Sequence, residues 1–236
     1  MRLVSKVVVL AVAACLIGAC NEVTTPVTAE VSFTVGAWDP VQGSAQETLQ
    51  GVRICELDVA NCTLTDARGE ATLMMPTLQE TGYTMELEGY APWLRPTIVE
   101  GSGSTLGSLM IPAQFISDQH ARVNSPYPTR DTGTILIISE PPAGAGLTFE
   151  LVAATAKAFY HEPNRDWSLD LSETTSLGAG GFTEVTPGEF QINIGGTAAG
   201  CVATLYAWPG DSEDTLRVPV RKGYVTQSNI VCPVPP

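Results

Sequence analysis

Histidine is nearly absent from this chain, and so are the short patterns that usually announce chemistry. Only His120 and His161 occur, 41 residues apart and outside any H-E-x-x-H context, so a histidine-based metal or acid–base site would need tertiary structure to assemble it. There is no G-x-S-x-G, and Gly101-Ser102-Gly103-Ser104 has the composition of a flexible turn rather than a nucleophile elbow. The cysteines lack C-x-x-C spacing, which argues against zinc. Basic residues are scarce: 12 Lys and Arg stand against 25 Asp and Glu. That excludes the cationic footprint a phosphate backbone needs, makes an anionic membrane surface repulsive, and argues mainly for solubility. No apolar run reaches the roughly 20 residues of a transmembrane helix. These absences leave no catalytic residue, metal or cofactor to nominate.

What is present begins at the N-terminus. Arg2 and Lys6 are followed by Val7 to Ala19 without a charge, the order of a secretory signal. The segment ends in Leu16-Ile17-Gly18-Ala19-Cys20, which resembles the bacterial lipobox, with Ile17 where Leu is commonest. The resemblance implies removal of residues 1–19, lipidation of Cys20 as the new N-terminus, and, with Asn21 after it, sorting to the outer membrane. Ordinary cleavage at Cys20 or Asn21 is the alternative. Loss of Arg2 and Lys6 leaves the mature chain at a formal charge of −15. Of six cysteines, Cys15 leaves with the signal and Cys20 takes the lipid, so Cys55, Cys62, Cys201 and Cys232 remain. An even set in an oxidising compartment reads as disulfides. Three connectivities exist, and proximity in sequence favours Cys55–Cys62 with Cys201–Cys232.

Beyond a Thr- and Pro-containing spacer, residues 20–30 with the lipidated cysteine, alternation dominates. Val31, Phe33 and Val35 alternate with Ser32 and Thr34, Val52 and Ile54 with Arg53 and Cys55, and Met85 and Leu87 with Thr84, Glu86 and Glu88. A period of two marks half-buried strands, and the Gly, Pro, Asn and Asp clusters between them suit a β-sandwich. No convincing helix emerges. The Ala-rich run Leu151 to Phe159 is ambiguous, but it lies between β-like neighbours. Ser117 to Thr132 is polar, holds Pro126 and Pro128 and shows no hydrophobic period, so it reads as a linker. It separates a sandwich over 31–116 from a second, diverged one over 133–236.

The two halves align at Thr65-Asp66-Ala67-Arg68-Gly69-Glu70-Ala71-Thr72-Leu73 and Thr174-Thr175-Ser176-Leu177-Gly178-Ala179-Gly180-Gly181-Phe182, each with a Gly four residues after the first Thr. Gly51, Val52, Ile54, Thr65, Asp66, Gly69, Ala71, Leu73, Gly82, Tyr83, Gly89 and Tyr90 together resemble the carboxypeptidase regulatory-like family. Thr174, Gly178, Phe182, Pro187, Gly188 and Phe190 look like the same core in the second half. The resemblance implies an all-β fold of two tandem transthyretin-like sandwiches and a non-catalytic module. Nothing here resembles the zinc-binding segment of the peptidases that carry such modules.

Two features invite ligands. Exposed Trp in a sandwich can stack on sugar rings. Of Trp38, Trp93, Trp167 and Trp208, the expected contacts are Trp167, in an acidic loop, and Trp208, beside Pro209. The loop itself gathers Asn164, Asp166, Asp170 and Glu173. It reads as a solvated acidic run, with calcium as the alternative, although the order is not that of an EF-hand. The expectation is a lipid-anchored envelope protein, not an enzyme, that serves as a structural or protein-interaction module. A saccharide-binding module is the alternative function.

Overall fold

A computed structural model describes residues 27–40, 42–141, 144–152, 156–197 and 200–233; the signal segment, Cys20 and residues 21–26 lie outside the described residues. The first half runs β1 (Thr28–Asp39), β2 (Ser44–Thr48), β3 (Arg53–Glu56), β4 (Cys62–Leu64), β5 (Glu70–Pro76), β6 (Glu80–Glu86), β7 (Trp93–Ile98) and β8 (Thr105–Met110). A helix follows, α1 (Ala113–Arg122), and then β9 (Gly133–Glu140), β10 (Leu147–Leu151), β11 (Ala158–His161), β12 (Trp167–Ser168) and β13 (Ala179–Val185). The chain ends with β14 (Gly188–Gly196), β15 (Val202–Ala203), β16 (Trp208–Pro209), β17 (Thr215–Val220) and β18 (Val225–Val231). The all-β reading therefore holds, with strands layered as sandwiches. Residues 28–30, expected in the spacer, are already part of β1, paired with Pro76, Met75 and Met74.

The same pairing pattern occurs twice. β1 lies between antiparallel β5 and parallel β8, as β9 lies between antiparallel β13 and parallel β18. β3, β6 and β7 form an antiparallel run, as do β10, β14 and β17. The likeness extends to single atoms. Val52 N donates to Thr65 Oγ1 at 2.9 Å, and Leu147 N donates to Thr174 Oγ1 at 2.9 Å. Each hydroxyl then donates to a backbone carbonyl, Leu49 or Gly144. Gly69 has φ +74, and a Cβ there would meet Val35 O at 2.5 Å; Gly178 has φ +59, and a Cβ there would meet Gly144 Cα at 2.8 Å. The Gly69 and Gly178 carbonyls each bond the first strand of their half, accepting from Val35 N in β1 or Ser139 N in β9. Only glycine tolerates both that backbone and that approach.

β18 joins the halves. It lies parallel to β9 on one side and to β7 on the other, Val225 opposite Trp93 and Thr226 opposite Leu94. One ten-stranded sheet results, ordered β12-β11-β13-β9-β18-β7-β6-β3-β4 with β15 beside β18. Its two faces carry separate cores. Phe159, Leu136 and Val225 enter the first, with Phe33, Tyr83 and Trp93; Tyr160, Ile135, Ile137 and Ile230 enter the second, with Phe149, Ile192 and Val218. Strands buried on both faces read as continuous apolar runs rather than alternations, as in Ile135-Leu136-Ile137.

The helix Ala113–Arg122 corrects the expectation of none. It begins after Pro112, whose fixed φ suits a helix start. Ile116, Gln119, His120 and Val123 are buried at i, i+3, i+4 and i+7, the spacing of a helical stripe. Half of that stripe is polar, so it left no hydrophobic period to read. Residues 117–132 hold the end of this helix and the buried Val123, Ser125 and Thr129. The ambiguous run is resolved at its ends, where β10 stops at Leu151 and β11 starts at Ala158; residues 153–155 lie outside the described residues. No described helix is long and apolar enough to cross a membrane.

Candidate functional site

The tryptophans expected to meet ligand face inward, which corrects that expectation. Trp167 is 3% exposed and Trp208 5%. Trp167 stacks on Phe159 with ring centroids 4.0 Å apart and planes at 14°, and its backbone N–H donates to Gln119 Oε1 of the helix at 2.8 Å. Trp208 Nε1 donates to the carbonyls of Thr81 at 2.7 Å and Thr97 at 3.3 Å, so this indole ties the second half to the first. Neither offers a ring face on which a sugar can stack.

The distant histidines do converge, on Trp167. His120 lies 5.3 Å and His161 6.1 Å from its ring. His120 is fully buried, with Nδ1 3.1 Å from Ser125 Oγ and Nε2 3.1 Å from Thr134 Oγ1. Burial pushes it down to about 4, so the ring is neutral and bridges helix to sheet. His161 ends β11. Burial, and then the nearby Arg165 cation, push it down to about 4. Its Nε2 is buried and has no hydrogen-bond partner among the described residues. His120 is a core histidine held between helix and sheet, and His161 is half-buried beside Phe159 and Trp167.

The acidic loop is engaged internally. Asp166 pairs with Arg122 at 3.0 Å and accepts from Asn164 Nδ2 at 2.9 Å, while Asp170 and Glu173 are exposed. No group of three or more His, Cys, Asp or Glu close enough to hold a metal ion is found among the described residues. Both expected disulfides are formed. Cys55–Cys62 joins facing residues of β3 and β4, and Cys201–Cys232 ties the chain before β15 to the residue after β18.

A concavity lies at the junction of the halves, a cleft of about 590 Å³. The first half contributes Arg53, the exposed Cys62, the β3–β4 turn with Asp58 and Val59, and Thr84; the second contributes Pro187, Arg221, Lys222 and Tyr224. Arg221 forms a two-pronged pair with Asp58 across the junction. That hydrogen bond holds the Asp58 carboxyl below the usual carboxylate range. Arg53 Nη1 sits 3.3 Å from Glu86 Oε2, and the Tyr224 hydroxyl donates to Glu86 Oε1. Burial, then the Glu86 bond, push Tyr224 up to about 12. Arg217 makes a second junction pair with Glu80. The cleft thus presents paired charges of both signs beside the β3–β4 turn.

None of this was visible locally, because Asp58 and Arg221 lie 163 residues apart. A further unforeseen feature is Arg95 on β7, 6% exposed, its guanidinium carbon 5.0 Å from the centre of the Tyr206 ring.

No family model matches this chain, and neither does any curated protein. Among solved structures it is similar to the Bacillus anthracis TIE protein, at 13% identity and a TM-score of 0.28, over 88% of this chain and 34% of that one. The chain spans about a third of that protein's length, and a likeness at this level bears on no functional question.

Proposed function

We propose that this chain is a non-catalytic, lipid-anchored protein of the outer membrane, built of two transthyretin-like sandwiches that act as one rigid module for holding a protein partner. The observation that carries the reading is the junction cleft. Its walls come from both halves, and the β18–β7 pairing and the Arg221–Asp58 pair hold them at a fixed spacing. A preformed surface of paired charges and apolar contacts favours a protein partner, since ordering costs are met in advance. Anchoring through Cys20 and the two disulfides fit the same oxidising compartment.

The test is a photocrosslinking amino acid placed at Thr84 or Lys222, on opposite walls of the cleft, in the producing cell. One adduct of the same mass is expected from both positions, lost with Arg221→Glu and absent from a probe at Val152. No adduct, or the same adduct from Val152, overturns the reading. The anchor is tested separately, by the mass of Cys20 in chain purified from the envelope.

A further inference from the structure

We infer that the end of the molecule from which the N-terminal chain emerges is itself a membrane-contact surface, with Val27, Val59, Met74 and Leu78 resting on a zwitterionic bilayer. This rests on the lipid-anchor reading and adds to it an orientation. Among the described residues these four are half of the exposed large hydrophobics, at 74%, 52%, 48% and 78% exposure. Hydrogen bonds gather them at one end. Thr77 donates to Val27 O through both N and Oγ1, at 2.9 and 3.0 Å, and Leu78 follows at once. Asn61 Nδ2 donates to Met74 O at 2.7 Å, which fastens the turn bearing Val59 beside β5.

Leu78 is the telling residue. Its φ is +56, in the left-handed region where a Cβ is disfavoured and Gly or Asn is the easy choice. A leucine there works against the fold, yet its side chain stands in solvent. An apolar partner outside the chain gives it a use.

Chain length names the partner. Six residues lie between Cys20 and Val27, a span of at most about 25 Å fully extended. An acyl chain on Cys20 therefore holds this end close to the headgroups. Charge selects the lipid. Glu30 faces Met74 across β1 and β5, Glu56 accepts from Asn61, and Glu100 lies just beyond Val99; Asp58 and Glu80 are paired with Arg221 and Arg217. The carboxylates not neutralised by arginine would repel anionic lipid.

The measurement is hydrogen exchange on residues 20–236, coupled through Cys20 to a maleimide-headgroup lipid in phosphatidylcholine vesicles and compared with the uncoupled chain. Amides of 57–61 and 74–80 are expected to exchange about five-fold more slowly on the vesicle, while those of 202–206 are unchanged. The Val59→Ser, Leu78→Asn double variant should abolish that protection without lowering the thermal midpoint, because Asn suits the left-handed backbone. Equal exchange with and without vesicles overturns the proposal. So does protection that survives the double variant, or greater protection on phosphatidylglycerol. An unmodified Cys20 in chain from the envelope would instead remove the anchor reading, which the vesicle experiment does not use.

Discussion

A buried hydroxyl occupies the same point in each half. Thr65 and Thr174 each accept from one backbone N–H and donate to one carbonyl, which satisfies two groups that a short strand end would otherwise leave orphaned. Their spacing to Gly69 and Gly178 was legible, because both positions answer to local backbone geometry. The inward turn of Trp208 was not, since its acceptors at Thr81 and Thr97 are more than a hundred residues away. The histidines give a pH prediction. Both are held near 4 in the folded chain and return to about 6.5 on unfolding. Between those values the unfolded state binds the extra protons, so their contribution is complete above about pH 6.5, declines as the pH falls toward 4, and levels off below. Urea unfolding at pH 7 and pH 5 should show the wild type losing on the order of 1–2 kcal/mol more than His120→Gln. Equal losses would assign the acid sensitivity to other groups.

Strands with one wet face were readable from their alternation, as in β1, where Val31, Phe33, Val35 and Ala37 point inward. The helix was not, because Gln119 and His120 occupy half its buried stripe and engage in hydrogen bonds instead of apolar contact. Both cysteine pairs were anticipated from proximity, yet they join different things. Cys55 and Cys62 are seven residues apart on strands already paired, whereas Cys201–Cys232 closes 31 residues and secures the end of the strand that unites the halves. Loop-closure entropy makes the longer bridge worth about 1 kcal/mol more. Replacing each pair by serines and comparing denaturant midpoints should rank the Cys201/Cys232 variant as the less stable. The reverse order would show that the β3–β4 hairpin depends on its bridge.

The repeat was legible in the sequence, but the way its copies combine was not, because β18 carries no mark that it pairs on both edges. With β7 and β9 both bonded to that strand, and Trp208, Arg217 and Arg221 reaching back to the first half, neither half has a boundary along which to melt alone. Calorimetry should give one transition with matching calorimetric and van't Hoff enthalpies; two resolved transitions would contradict the shared sheet. The strand that completes the first half is also made more than a hundred residues after β7. Until residues 225–231 are available, β7 remains an open edge with Trp93 and Leu94 uncovered, and this long-range closure is slow. In the exported chain we propose, that order delays folding of the first half until β18 has passed through the export pore, so the late strand doubles as a safeguard against jamming it.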